Sequence, residues 1–144
     1  MVHRPSLCIL LVEDDRDSLS ALARLLTLSG HRPLCAATAA EALRLAAANR
    51  CDVVVSDVGL PDRSGLELMR ELASLRPIPG IAVSGYTEPA DVKECERAGF
   101  ARHLNKPLDF QQLLDTMQEL CRGPGAASAG GFTAQDAGPE ADRA

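Results

Sequence analysis

Apolar residues follow two different patterns along this chain of 144 residues. The runs at residues 7–12 and 53–55 are continuously apolar, which is typical of strands buried on both faces of a parallel sheet. Shorter runs predict further strands at residues 34–36, 81–84 and 101–104.

Helical spacing of apolar residues fills the segments between these strands. Capping residues or a first-turn proline mark the predicted helix starts, which are Asp15 or Asp17, Thr38, Ser64, Pro89 and Asp109. The helix predicted over residues 88–98 has the weakest apolar face, so we expect it to dock least firmly. This alternation predicts an α/β fold, in which a five-stranded parallel sheet lies between two helix layers. Such a flavodoxin-like (βα)5 sandwich has the strand order 2-1-3-4-5.

Composition divides the chain into three parts. Residues 1–6 are a lead-in, residues 7–121 form one folded domain, and residues 122–144 are rich in Gly, Ala and Pro without Leu, Ile or Val. A segment of that composition cannot offset its ordering entropy by burial, so we predict a disordered tail or linker. We expect no DNA-binding or catalytic output domain in it.

Charge and aromatic content exclude several classes of partner. The formal net charge is −5, there is no Trp, and aromatic residues make up only 3% of the chain. The chain therefore lacks the basic stripe and the stacking surfaces that nucleic-acid binding needs. No apolar run is long enough to span a membrane, and the N-terminus lacks a signal-peptide pattern.

Cysteine spacing points to a reducing, cytoplasmic environment. The five cysteines form no CxxC motif and have no His at ligand spacing, so we interpret them as small buried hydrophobic residues: Cys8, Cys35, Cys51, Cys95 and Cys121.

Acidic residues follow two of the predicted strands. Asp57 ends the central strand, and Glu13 and Asp14 follow the first one. These strands are neighbours in the predicted order, so the three carboxylates should converge and repel by roughly 4 kcal/mol per pair near 4 Å at an effective dielectric of about 20. An all-oxygen site with open positions suits Mg²⁺, and the Gly59 carbonyl is a further candidate ligand.

A lysine and a hydroxyl complete the predicted site. Lys106 follows the last strand, and Ser84 ends the fourth. Together with the acids and Mg²⁺ they suit an incoming phosphoryl group, with Asp57 as the nucleophile that forms an acyl phosphate. Each of these residues taken alone is more often a cap, a turn former or a solvated side chain. Their joint placement at strand ends favours the functional interpretation.

In order and placement, these motifs resemble a response-regulator receiver domain of two-component signalling. The resemblance covers residues 7–121 and includes the block at residues 57–65, which carries the acceptor Asp57. It implies that a histidine kinase or phosphotransfer protein phosphorylates Asp57, that Asp14 binds Mg²⁺ directly, and that Glu13 binds it through water. A slip of one position would make Asp15 the ligand instead. The resemblance also implies a cis peptide bond before Pro107.

The resemblance also implies a switch in which the Ser84 hydroxyl is coupled to an aromatic residue. His103 stands at the aromatic position, and Tyr86 is a candidate for a related role. We expect an exposed strand histidine at position 103, with titration near neutral pH as the alternative. The signal is expected on the face formed by the last two helices and the last strand.

The biological setting stays open between a stand-alone regulator and the receiver segment of a hybrid sensor kinase, and a homodimer is also open. Two rival functions are an aspartyl-nucleophile phosphohydrolase and a receiver-like scaffold that takes no phosphate. The phosphohydrolase would need a second acid two residues after Asp57, where Gly59 stands.

Overall fold

The computed structural model describes residues 6–85 and 89–121. The predicted lead-in lies mostly outside these residues, and Tyr86 and the predicted tail lie wholly outside them. Strands and helices alternate along the described chain: β1 (Cys8–Val12), α1 (Arg16–Leu28), β2 (Arg32–Ala36), α2 (Ala39–Ala48), β3 (Val53–Asp57), α3 (Gly65–Leu75), β4 (Gly80–Ser84), α4 (Pro89–Ala98), β5 (Arg102–Asn105) and α5 (Phe110–Cys121).

The described strands form one parallel sheet in the order β2-β1-β3-β4-β5, which confirms the predicted topology. In the register of the two central strands, Val12 pairs with Ser56. The residues that follow β1 therefore leave the sheet beside Asp57, the last residue of β3. On the other side, Asp57 pairs with Val83 of β4.

Both faces of the central strands are buried, as their continuous apolar runs predict. Leu10 and Val54 face a core that α2, α3 and α4 cover. Ile9 and Val53 face a second core, covered by α1 and α5. Burial on both faces makes β1 and β3 a rigid support for the loops at their carboxyl ends.

Capping residues fix the starts of the first three helices. Asp15, Thr38 and Ser64 each accept a hydrogen bond from the backbone N–H three residues ahead. Asp15, rather than Asp17, therefore caps α1. Asp109 accepts from the N–H of Gln112 at 3.2 Å and caps α5.

Strand boundaries differ from the sequence prediction by one or two residues, and for β2 and β5 the reason is structural. β2 begins at Arg32 and includes Pro33, which an edge strand tolerates because its outer N–H groups need no partner. β5 lies one residue further along than predicted, because Ser84 pairs with Asn105 and extends the sheet.

The interpretation of the cysteines as buried residues is wrong for Cys35, which is exposed on the edge strand β2. Cys51 and Cys95 are buried, and Cys8 and Cys121 are partly buried. Burial raises the pKa of both Cys51 and Cys121 to about 11, so these two thiols are protonated at neutral pH.

Among the described helices, none has the length and apolar character to cross a membrane.

Candidate functional site

The carboxylates of Glu13, Asp14 and Asp57 converge at the carboxyl edge of the sheet. Each offers an oxygen that lies within 4.8 Å of the other two. The side-by-side register of β1 and β3 causes this convergence, which the strand order predicts. The three carboxylates, none of them fully buried, provide hard oxygen ligands and leave room for water, so the donor set fits Mg²⁺.

Lys106 supplies positive charge to this cluster. Its Nζ lies 3.1 Å from Oδ2 of Asp57 and 3.2 Å from Oε1 of Glu13. Burial alone would lower the pKa of Lys106, but the hydrogen bonds and charges of Asp57 and Glu13 outweigh burial and raise it above its ordinary value. The backbone holds Lys106 in place through its N–H, which donates to the carbonyl oxygen of Ser84 at 2.9 Å. The peptide bond between Lys106 and Pro107 is cis, as the resemblance implies.

The acids after β1 have different environments. Glu13 is largely buried, and its second oxygen, Oε2, accepts from the Asp15 N–H at 3.0 Å. Both of its oxygens therefore have protein partners, whereas Asp14 is exposed. Asp15 is occupied as the α1 cap, because its Oδ2 accepts from both the N–H and the hydroxyl of Ser18, and these bonds lower its pKa. The geometry thus favours Asp14, rather than Asp15, as the direct metal ligand.

Two glycines that follow Asp57, Gly59 in the loop and Gly65 at the start of α3, have opposite surroundings. A Cβ on Gly59 would meet nothing within 4 Å among the described residues, so there is enough space for a side chain at this position. A Cβ on Gly65 would collide with the Asp57 carbonyl oxygen and contact the Val58 backbone. Gly65 is therefore the glycine that lets α3 begin directly against Asp57, and no pattern in the sequence indicates this crowding.

Ser84 and His103 contact each other on the neighbouring strands β4 and β5. Ser84 Oγ lies 3.0 Å from His103 Nε2, within hydrogen-bond distance, and the His tautomer decides which atom donates. The expectation of an exposed histidine is wrong, because His103 is 0% exposed. Leu104 faces the core under α5, so His103 faces the opposite side, where α4 packs against β5.

Comparison with known proteins identifies the family. A sequence model of the response regulator receiver domain matches residues 9–118. The chain belongs to this family. The receiver resemblance and its fold are thereby confirmed.

Individual relatives agree with this assignment. Transcriptional regulatory protein KdpE of Mycobacterium tuberculosis is 33% identical over 120 residues, which are 83% of this chain and 53% of KdpE. The chain thus spans about half the length of that curated relative. The solved structure of a CheY-like receiver domain protein from Methanospirillum hungatei has 28% identity and a TM-score of 0.79, covering 88% of this chain and 100% of that one. A response regulator from Burkholderia pseudomallei, solved with a phosphorylated aspartic acid, calcium ion and citrate, has 26% identity and a TM-score of 0.73, covering 86% and 71%.

An apolar groove opens beside the carboxylates of this receiver domain. Its volume is about 350 Å³, and Glu13, Asp57 and Lys106 form its polar end. Leu22 of α1 and Leu108 are among the residues that line its apolar part. The groove therefore ends at the Asp57 and Glu13 carboxylates and the Lys106 ammonium.

Sequence reasoning missed one further residue near the site. Asp62 lies in the loop between β3 and α3, and its two carboxylate oxygens accept hydrogen bonds from the N–H groups of Ala39 and Ala40 at 2.9 Å each. The pair Pro61 and Asp62 signals a turn. The partners of Asp62 belong to another helix, and no local pattern reveals them.

Proposed function

We propose that this receiver domain takes a phosphoryl group onto Asp57 from the phosphohistidine of a histidine kinase or phosphotransfer protein. The observation that carries the proposal is the Asp57 carboxylate, which lies 3.1 Å from the Lys106 ammonium and shares a cluster with Glu13 and Asp14. The Burkholderia relative described above, solved with a phosphorylated aspartic acid and a calcium ion, supports this assignment.

The reaction forms an acyl phosphate on Asp57. A carboxylate oxygen of Asp57 attacks the phosphorus, the bond from phosphorus to the donor's imidazole nitrogen breaks, and its electron pair stays on that nitrogen. Lys106 offsets negative charge on the transferred oxygens through its ammonium. In this proposal the domain catalyses its own phosphorylation and dephosphorylation and acts on no other substrate.

Mg²⁺ is the proposed cofactor. Asp14, Asp57 and the Gly59 backbone carbonyl would hold it directly, and Glu13 would hold it through water, since both Glu13 oxygens have protein partners. When bound, Mg²⁺ supplies positive charge beside the transferred phosphoryl oxygens. The hard oxygen character of the three carboxylates supports this choice of metal.

Ser84 and His103 form the proposed switch. The Ser84 hydroxyl turns toward the phosphoryl group, and the contact with His103 at 3.0 Å changes as it moves. The side chain of His103 lies between its own strand, β5, and α4, so a change in its contact with Ser84 reaches the face built from α4, β5 and α5. Tyr86 keeps its proposed part in this switch, although it lies outside the described residues.

The rival functions lack support at the site. A phosphohydrolase of the aspartyl class would need an acid at position 59, which is glycine. A scaffold that takes no phosphate would have no use for an acid cluster paired with Lys106. We propose a cytoplasmic setting and leave open a stand-alone regulator, a hybrid-kinase segment and a homodimer.

Acetyl phosphate provides the test of the acceptor. The purified chain is incubated with acetyl phosphate and Mg²⁺, and its intact mass is measured beside that of Asp57→Asn. We expect the wild type to gain one phosphoryl group and the variant to gain none. No gain in wild type, or an equal gain in the variant, would refute the assignment.

Neighbouring acids provide the test of the metal site. Asp14→Ala should abolish the rise in Tm that Mg²⁺ produces in wild type. Asp15→Asn serves as the matched control and should retain that rise, because Asp15 caps α1. Loss of the rise in Asp15→Asn alone would assign the ligand to Asp15.

A further inference from the structure

The loop that follows the acceptor is held at both ends by backbone hydrogen bonds. We call residues 58–64 the acceptor loop. The Val58 N–H donates to the Val83 carbonyl at 3.2 Å, and the Gly65 N–H donates to the Val58 carbonyl at 2.6 Å. Between these points the chain carries Gly59 and Asp62, both of which are exposed. Burial therefore does little to fix these two residues.

Asp62 ties this loop to a helix that precedes it in the chain. Its Oδ1 accepts from the Ala39 N–H and its Oδ2 accepts from the Ala40 N–H, both at 2.9 Å. These N–H groups belong to the first turn of α2, where no carbonyl of the helix can reach them and where the helix dipole favours a negative charge. The same two hydrogen bonds hold the pKa of Asp62 below its ordinary value, so its carboxylate is ionised at neutral pH.

The start of α2 has capping residues of its own. Thr38 accepts from the Glu41 N–H at 3.1 Å, and the Glu41 side chain accepts from the Ala37 N–H at 2.9 Å. Asp62 comes from a position 23 residues after Ala39. The start of α2 is thus already capped locally, and Asp62 adds a connection between this helix and the acceptor loop.

We propose that Asp62 is a positioning residue that ties the acceptor loop to α2 and so holds the Gly59 carbonyl at the metal site. This inference rests on the proposed function for the role of Gly59. Gly59 lies three residues before Asp62 and within the same loop. Side chains that orient metal ligands are typically worth 10- to 100-fold in metal affinity, although they do not touch the metal.

Two variants of Asp62 and one matched control test the proposal. Asp62→Ala removes both acceptors, and Asp62→Asn keeps one of them. Thr38→Ala weakens the start of the same helix but leaves the connection to the loop in place. The dissociation constant of Mg²⁺ is measured by calorimetry on the full chain, and amide hydrogen exchange of residues 58–65 is measured without metal.

We expect Asp62→Ala to raise the Kd for Mg²⁺ about tenfold, Asp62→Asn to raise it less, and Thr38→Ala to leave it unchanged. Without metal, exchange in the acceptor loop should be faster in Asp62→Ala than in Thr38→Ala. Equal Kd values for wild type and Asp62→Ala, or equal increases in Asp62→Ala and Thr38→Ala, would overturn the proposal.

The two measurements separate this proposal from the proposed function. If wild type binds no Mg²⁺, the metal site of the proposed function fails and the hydrogen-exchange arm decides on Asp62. Faster exchange of the acceptor loop in Asp62→Ala alone then supports the tie. Unchanged exchange overturns it.

Discussion

Replacing Ser84 by alanine tests the contact between this hydroxyl and His103. Ser84 Oγ lies 3.0 Å from His103 Nε2, and His103 is 0% exposed, so removing the hydroxyl of the half-buried Ser84 takes one partner away from a buried ring nitrogen. Removing one partner of a buried hydrogen bond costs about 1 to 3 kcal/mol. For a folded domain of this size, we expect Ser84→Ala to lower the Tm by roughly 4 °C for each kcal/mol lost.

A double-mutant cycle isolates the contribution of this contact. His103→Leu keeps a similar side-chain volume and removes the polar ring. In that background Ser84→Ala should cost only a few tenths of a kcal/mol, giving a coupling energy of about 1 kcal/mol. Because the chain has no Trp, unfolding in urea is followed by far-UV circular dichroism, on metal-free protein. A loss below about 0.3 kcal/mol for Ser84→Ala, or an equal loss in both backgrounds, would refute the reasoning.

Three further predictions follow from the loops and the cysteines. Gly65→Ala should lower the free energy of unfolding by about 1 to 3 kcal/mol, because the new Cβ collides with the backbone. Gly59→Ala, whose Cβ meets open space, should lower it by less than about 1 kcal/mol. Equal losses for the two variants in urea unfolding would contradict this prediction. Backbone hydrogen bonds from α2 hold the pKa of Asp62 below 3.8, so its stabilising effect is complete above that pH and disappears as the pH falls through the lowered pKa. The Tm difference between wild type and Asp62→Asn should therefore shrink steadily as the pH falls below 3.8, and a difference that does not change with pH in that range would count against the ionic tie. The exposed Cys35 should react with iodoacetamide in the folded protein, whereas the buried Cys51 should react only after unfolding. Peptide mass mapping identifies the labelled cysteine, and labelling of Cys51 in the folded protein would contradict its burial.

The fold and the position of the acid cluster were predictable because both depend on patterns that extend over many residues. The unbroken apolar runs of β1 and β3 indicated strands buried on both faces, and the alternation with helices indicated parallel pairing. Once those strands are neighbours, Glu13 and Asp14 must leave the sheet beside Asp57. The convergence is thus a consequence of topology, and it needs no knowledge of side-chain conformation.

Residues whose environment depends on a single packing contact could not be predicted. His103 lies in a strand of only four residues, and nothing in that short stretch shows that α4 covers it. Cys35 is exposed because β2 is an edge strand, which depends on the sheet order rather than on its own neighbours in sequence. The contacts of Asp62 with Ala39 and Ala40 join a loop to the first turn of α2, and only the packing of α2 against α3 determines their relative position.

The charges at the site explain why Ser84 is the group that can respond in the proposed switch. Three carboxylates face one ammonium, and Lys106 is already within 3.2 Å of both Asp57 and Glu13. Phosphorylation converts one of these carboxylates into a group with more negative charge and more acceptor oxygens. A hydroxyl can donate to such an oxygen in a charge-assisted bond worth about 1.5 to 3 kcal/mol, against about 1 kcal/mol for a neutral one. In the proposed switch, the hydroxyl exchanges its bond with His103 for the stronger bond to the phosphoryl group. In the proposed switch, the bond to the buried histidine would hold the hydroxyl in place until Asp57 is phosphorylated.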